Sequence, residues 1–466
     1  VRKMEKLQAG TICHWINGRL IGDELVSVDE VSTDTRTLVK GSLFVAIRGN
    51  NFDGHEFIGQ AFEKGATIVI SEEEHAVSEG LALIVVQDTI KALGELARNY
   101  IQNFDIPVIA ITGSVGKTTS KEMIAQVLST QYNVHKTKGN FNNHIGLPLS
   151  VLNLNKSHNV AVFEMGMNAI GEIDYLSKII RPDVGVITNI GISHIEKLGS
   201  RQNILRAKLE IIHGMSENSK LILNGDDELL SGLKGLLPMP VSFYGINENS
   251  DIHAYGIETL GEKGVKFNIE IRNQEVEIVL PVPGIHNVSD ALAAVACGLE
   301  LGITNENIQK GLMRYSHERM RLNISQQGDV KIINDSYNAA PDSMLAALTV
   351  LREVAGSRRS IAVLGDMFEL GEYSAQAHAD VGTYVVRENI NHLIAIGDLA
   401  KDYVKGAVEA GMSERNIKYF PDSKSAVSFL KGFINPLDVV LFKGSRGMNL
   451  DKVIENVFGT ADNDVK

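Results

Sequence analysis

Short, wholly apolar runs alternate along this chain with segments whose apolar positions recur at helical spacing. Pro107-Val108-Ile109-Ala110-Ile111 is a continuous apolar run of the kind buried on both faces in parallel sheets. A glycine loop follows it, and then residues 119–130, where Met123, Ile124, Val127 and Leu128 form one stripe of a helix. Val160-Ala161-Val162-Phe163, Val184-Gly185-Val186-Ile187 and Leu221-Ile222-Leu223 continue the alternation, which predicts a doubly wound sheet. Near residues 226–283 the period changes to two: Lys266-Phe267-Asn268-Ile269-Glu270-Ile271 and Glu275-Val276-Glu277-Ile278-Val279-Leu280 alternate strictly around Arg272-Asn273-Gln274. That pattern predicts an antiparallel hairpin inserted into the α/β unit, followed by an alanine-rich helix over 288–301.

The stretches on either side have the same α/β character. In residues 1–105, Leu43-Phe44-Val45-Ala46-Ile47 and Ala66-Thr67-Ile68-Val69-Ile70 read as strands, with helices over 57–64 and 90–100. From residue 319 onward, Lys331-Ile332-Ile333, Ser360-Ile361-Ala362-Val363-Leu364, His392-Leu393-Ile394-Ala395-Ile396 and Val439-Val440-Leu441-Phe442 are the expected strands. The fold class is therefore α/β in three domains: 1–105, 106–318 with a central doubly wound, P-loop ATPase-like sheet, and 319–466 with a Rossmann-like arrangement. A length of 466 residues agrees with about three domains. The tail after Gly459 is polar, and a frayed end is expected there.

Composition narrows the class. Hydrophobic content of 44% with 22% charged residues is that of a soluble globular chain. A net charge of −12 argues against a general nucleic-acid binder. Cys13 and Cys297 lack metal-ligand spacing and read as inert thiols of a reducing compartment. No signal-like leader or bilayer-length apolar run is evident, so a cytoplasmic protein with no membrane partner, and a monomer, is expected.

The chemistry gathers at strand ends. Gly113-Ser114-Val115-Gly116-Lys117-Thr118-Thr119 lies between a strand and a helix, where backbone N–H groups and the helix N-terminus favour phosphate. Lys117 would reach the β/γ-phosphates and Thr118 would offer its hydroxyl to Mg²⁺. The general phosphate-loop pattern asks for glycine where Ile111 stands. Glu164 follows the next buried strand, at the level where a hard cation needs oxygen ligands, and His194 lies just past another strand. Lys208 alone reads as a surface lysine, and Asn287 as a helix N-cap. The polar loop holding Asp335 and Asn338 follows a strand of the last unit, as does Lys443-Gly444-Ser445-Arg446, whose Lys443 and Arg446 are candidates to hold a carboxylate.

Together these motifs resemble the Mur ligases of bacterial peptidoglycan synthesis over essentially the whole chain. The short glycine loop, residues 112–119, has the form that family uses. Gly139-Asn140-Phe141-Asn142-Asn143-His144-Ile145-Gly146-Leu147-Pro148 and Glu164-Met165-Gly166-Met167-Asn168 resemble the member that joins a dipeptide, not the sister that adds the third stem residue. The resemblance implies that Ser32, Asp34, Thr35 and Arg36, with Asp53, Gly54 and His55, hold a UDP-sugar, and that Asn140, Asn142 and Asn143 contact substrate. It implies Mg²⁺ ligation by Thr118, Glu164 and His194, a carbamylated Lys208 supplying a further oxygen, and ATP contacts from Asn287, Arg319, Asp335 and Asn338. Lys117, His194 and Lys208 are the implied catalytic groups.

The implied reaction is ATP-dependent joining of D-alanyl-D-alanine to UDP-N-acetylmuramoyl-tripeptide through an acyl-phosphate. Another amino-acid ligase of the same superfamily is the nearest alternative. A P-loop regulatory NTPase is the alternative from a different class, and it leaves Ser32-Thr33-Asp34-Thr35-Arg36 unexplained.

Overall fold

Residues 4–49 and 52–459 are described by the structure, a computed structural model. Asn50 and Asn51 of the N-terminal motif, and the polar tail beyond Gly459, lie outside them.

Three sheets carry the three units. The N-terminal sheet has five strands in the order Arg19–Gly22, Ala82–Val85, Ile68–Ser71, Leu43–Val45, Val31–Ser32, parallel except for the first pair. The helix expected over 57–64 forms as a 3₁₀ turn, Gly54–Phe57, running into Ile58–Glu63. A longer helix, Thr89–Ile101, closes the unit, capped by the Asp88 carboxylate on the Lys91 N–H.

The central sheet has nine strands. Val108–Thr112 lies third from one edge, parallel to Val160–Glu164 on one side and Val184–Ile187 on the other. After Val108–Thr112 the chain first builds Val134–Lys136 and Val160–Glu164 on one flank, then crosses to Val184–Ile187, Lys220–Asn224 and Val241–Gly245 on the other. This reversal opens a crevice beyond the carboxyl ends of Val108–Thr112 and Val184–Ile187, the place where open α/β sheets bind ligands. All five residues of Val108–Thr112 are buried, as the unbroken apolar run requires.

The hairpin forms in the expected register, from Val265↔Leu280 to Ile271↔Gln274. Arg272 and Asn273 both take positive φ (53° and 57°), the conformation of a tight two-residue hairpin turn. The hairpin continues the central sheet. Ile252–Thr259 joins it to Val241–Gly245, so the antiparallel strands extend the edge of the main sheet. The region 226–283 also contains that parallel strand Val241–Gly245, which its short, non-alternating sequence concealed.

The last unit is a six-stranded sheet ordered Asn323–Gln327, Val330–Asp335, Val439–Lys443, Ser360–Gly365, His392–Ile396, Ile417–Phe420, antiparallel only at the first pair. The four expected strands are present, and two edge strands are added.

One hydrophobic core runs from the N-terminal unit into one face of the central sheet, including Leu93, Leu96, Leu147 and Phe163. Tyr100 pins the two together: its hydroxyl donates to the Leu154 carbonyl at 2.6 Å and accepts from the Glu5 N–H at 2.7 Å. The C-terminal unit has its own cores, to which the central unit lends Ile192. Between these bodies lies a polar cleft of about 550 Å³.

Candidate active site

The glycine loop is braced from the neighbouring strand end. The Asn189 side-chain oxygen accepts from the N–H groups of Ser114 (3.0 Å) and Val115 (2.9 Å), and Thr188 donates to the Val115 carbonyl at 2.6 Å. Gly116 takes φ +83°, and a Cβ there would stand 2.7 Å from an oxygen of Asp290. Glycine is thus required twice over, by conformation and by space. At Gly113 a Cβ would collide with the Thr188 hydroxyl. Lys117, first residue of the helix Lys117–Leu128, folds back to donate to the carbonyls of Gly113 (2.8 Å) and Ser114 (3.3 Å). Burial holds its ammonium pKa below the usual lysine range.

Thr118 and Glu164 meet as the sequence motifs anticipate. The Thr118 hydroxyl donates to one Glu164 oxygen at 2.9 Å, and the Asn142 amide donates to the other at 2.8 Å. Both residues are buried, Glu164 to 2% exposure. Strand pairing sets Glu164 opposite Ile111, at the base of the loop. Asn140 and Asn143 line the same cleft, and Asn143 also accepts from the Ile145 and Gly146 N–H groups ahead of Gly146–Val151.

Lys208 is not a surface lysine. It lies in the last turn of Arg201–Leu209, is 2% exposed, and lines the cleft. Among the described residues it has no acidic partner, and burial together with the nearby Lys117 charge pushes its pKa well down. His194 also lines the cleft. Its Nδ1 lies 2.5 Å from a carboxylate oxygen of Glu369 in the C-terminal unit, while burial, the largest effect, lowers its pKa.

The opposite wall comes from the C-terminal unit and the helix His286–Glu300. Asp335 accepts from the Leu322 N–H at 3.1 Å and from Lys443 Nζ at 2.5 Å, and Lys443 also donates to the Asn338 carbonyl at 3.0 Å. Lys443, which also lines the cleft, is engaged with Asp335 in a buried pair. Asn287 is not an N-cap. The helix starts one residue earlier, and the buried Asn287 amide donates to the Pro283 carbonyl at 2.7 Å. His286 and His317 face the same region, each held by burial at a pKa of about 4.

Arg319 points away from the cleft: its side chain is 80% exposed and lies 3.9 Å from Glu455. Arg321, two residues on, lines the cleft instead, its guanidinium 4.2 Å from the centre of the Tyr337 ring. Arg446 is likewise outside, paired with Asp451 at 3.1 Å.

The N-terminal motif residues do not line this cleft but knit one local surface. Ser32 accepts from the Asp34 N–H, Asp34 pairs with Arg36 at 2.7 Å, and the Thr35 hydroxyl donates to Gln60. Asp53 takes Arg48 on one oxygen and the His55 ring on the other, at 2.7 and 2.6 Å, and the buried His55 accepts from the Glu72 N–H. A Cβ at Gly54 would stand 2.6 Å from the Ile47 nitrogen.

Lys121 and Asp290, which support the site, also escaped the sequence reading. Lys121 is fully buried, with Nζ 3.0 Å from Glu122 and 3.7 Å from Glu164. It precedes Ile124 and Leu128 by three and seven residues, and that spacing already put it on the buried face. Asp290 accepts from the Ser120 hydroxyl at 2.5 Å, and burial raises its pKa to about 7.

A braced phosphate loop at a sheet's switch point, a buried carboxylate beside its threonine, and a second α/β unit across the cleft define a nucleotide-dependent enzyme assembled between domains. Residues 27–110 match the Mur ligase family catalytic domain, 111–298 the Mur ligase middle domain and 318–446 the Mur ligase glutamate ligase domain. The chain is 40% identical to UDP-N-acetylmuramoyl-tripeptide–D-alanyl-D-alanine ligase of Bacillus subtilis (strain 168), covering 97% of this chain and 99% of that one. It is 35% identical to the protein of that name in Escherichia coli (strain K12), over 94% and 95% of the two chains. A crystal structure of MurF from Acinetobacter baumannii superposes with TM-score 0.89 at 34% identity, covering 98% of this chain and all of that one. MurF ligase from Thermotoga maritima in complex with ADP superposes at 0.79, with 29% identity over 92% and 96% of the chains. The chain belongs to the Mur ligase family, and it is a ligase.

Proposed function

We propose that this ligase joins D-alanyl-D-alanine to UDP-N-acetylmuramoyl-tripeptide in the cytoplasm, using ATP and forming an acyl-phosphate. The carrying observation is the convergence of Lys117, Thr118–Glu164 and the unpaired, buried Lys208 on one cleft. The family relatives named above supply the substrates.

The tripeptide's terminal carboxylate oxygen attacks the γ-phosphorus of ATP; the bond to the β-phosphate oxygen breaks and ADP leaves. The amine of the dipeptide then attacks the acyl carbon, inorganic phosphate departs, and the nitrogen loses a proton to give the amide. No side-chain nucleophile is needed, so the protein's work is positioning and charge neutralisation. Lys117 swings from its loop carbonyls to the β/γ-phosphates, and the loop N–H groups and the N-terminus of Lys117–Leu128 hold the remaining charge.

The residues present suit Mg²⁺. Among the described residues no cluster of three His, Cys, Asp or Glu side chains makes a closed metal cage. Mg²⁺ characteristically takes one or two carboxylates and completes its shell with substrate phosphates and water. Glu164 and Thr118 would hold it, with His194 nearby, and bound there it would neutralise phosphate oxygens. The depressed pKa of Lys208 makes the neutral amine accessible, the form that adds carbon dioxide, and the carbamate would replace a buried cation by an anionic oxygen donor.

The test is a product mass after incubation with ATP, UDP-N-acetylmuramoyl-tripeptide and D-alanyl-D-alanine. A mass equal to the two joined substrates less one water, with one ADP per product, is expected; activity only with a single amino acid would move the chain to another step. Lys117→Ala should abolish ligation and leave the folded chain intact. A fully active variant would sink the reading.

A further inference from the structure

The contact between His194 and Glu369 crosses the seam between the central and C-terminal units. His194 lies just past Val184–Ile187, and Glu369 on the loop after Ser360–Gly365. Each adopts a left-handed backbone with φ 63°, rare for a side chain with a Cβ. Such conformations persist only where the surroundings impose them, and they gather at functional sites. The Glu369 loop is well anchored: Met367 N–H donates to His378 at 3.0 Å and Phe368 N–H to the Ser445 hydroxyl at 2.8 Å. The seam continues next to it, where the Glu196 N–H reaches the Glu369 carbonyl at 3.4 Å.

Nδ1 of His194 is buried and faces a Glu369 oxygen at 2.5 Å as an ion-pair contact that lacks hydrogen-bond alignment. The carboxylate there favours a proton on Nδ1. That leaves Nε2 as the ring nitrogen for the cleft, which His194 lines. A carboxylate that fixes the tautomer and pose of a ligating histidine is a recurrent device of metal and phosphate sites.

We infer that Glu369 is a positioning residue for His194, supplied by the C-terminal unit, which sets the imidazole with Nε2 toward the phosphates only when the two units are seated together. The inference rests on the reading of the cleft as an Mg²⁺–nucleotide site. The full-length protein is compared with Glu369→Ala, Glu369→Gln and His194→Ala by Mn²⁺ titration in the presence of ADP, followed by electron paramagnetic resonance. Steady-state ligation and small-angle scattering accompany it.

Glu369→Ala should weaken Mn²⁺ binding and lower kcat, each roughly ten- to a hundredfold, with KM for the UDP-peptide within about twofold. Glu369→Gln, whose amide oxygen can still face Nδ1, should retain most of both. In the His194→Ala background, Glu369→Ala should add no further loss. Unchanged Mn²⁺ affinity in Glu369→Ala, equal losses in the Ala and Gln variants, or an expanded scattering profile without loss of Mn²⁺ would each overturn the inference. Wild-type protein that binds Mn²⁺ and ADP but makes no amide would overturn the substrate reading alone.

Discussion

Thr118 donates its hydroxyl to Glu164 at 2.9 Å, so the first turn of the phosphate-loop helix is tied to the end of the neighbouring strand. This bond puts a hydroxyl and a carboxylate at the point where a phosphate-bound cation needs oxygen. Glu164→Gln keeps the volume and one acceptor but removes the charge. It should lower kcat by at least about a hundredfold, in the range seen when one preorganised electrostatic group is lost, while urea unfolding shifts little. Glu164→Ala should in addition destabilise by about 1–3 kcal/mol, because the Asn142 amide loses its acceptor. Ligation assays and urea melts on both variants separate the two effects.

Lys208 gives a chemical prediction. Its folded-state pKa is depressed, so the amine is neutral at pH values where a free lysine is charged. Equilibration with ¹³C-labelled bicarbonate should produce one carbamate resonance in the wild-type ¹³C spectrum, absent from Lys208→Ala. Removing dissolved carbon dioxide should reduce activity, and restoring it should recover the rate. A wild-type spectrum without the resonance, in fully active enzyme, would remove carbamylation from the account.

Much of this site was legible because strand-end chemistry travels with local sequence. The apolar run 107–111, the glycine loop and the carboxylate that ends Val160–Glu164 are all local patterns, and the parallel sheet follows from their alternation. What was hidden depends on register and on edges. Ile417–Phe420 reads as a half-exposed IKYF segment and gains strand identity only from His392–Ile396 beside it. Lys443 looked like a free cation because nothing local reveals that pairing sets Asp335 directly opposite it. Arg319 and Arg321 are equivalent by composition, and only the path of the chain past Met320 and Leu322, both at positive φ, turns Arg321 inward.

The Lys443–Asp335 pair is buried, with Lys443 at 2% and Asp335 at 9% exposure. Removing one member leaves the other charge uncompensated, a loss of about 3–5 kcal/mol. Lys443→Met should therefore destabilise the C-terminal unit strongly. Lys443→Met with Asp335→Asn, which removes both charges, should recover most of that loss. The coupling energy from a double-mutant cycle in urea is the measurement, and an additive cycle would contradict the pairing.

Asp290 makes stability depend on pH in a way that one substitution isolates. Its carboxyl is buried beside Gly116 and titrates near 7 in the folded chain, against 3.8 as the reference value. Between those values the folded state holds the extra proton, so its stabilising effect is complete below about pH 4 and is lost as pH rises to about 7. His286 and His317 act in the opposite sense: their pKa falls from 6.5 to about 4, the unfolded chain binds the extra protons, and stability falls as pH drops through that window. The wild-type profile between pH 4 and 6.5 is thus the difference of opposed contributions, and its flatness alone says little. Asp290→Asn removes only the carboxylate's share and keeps an acceptor for Ser120. The variant should match wild type near pH 4 and exceed it by on the order of 2–4 kcal/mol at pH 8, about three pKa units discounted for local relaxation. Urea unfolding at the two pH values measures the gap. A gap that stays constant with pH would mean that Asp290 is ionised throughout, held by a cation that the fold brings to it.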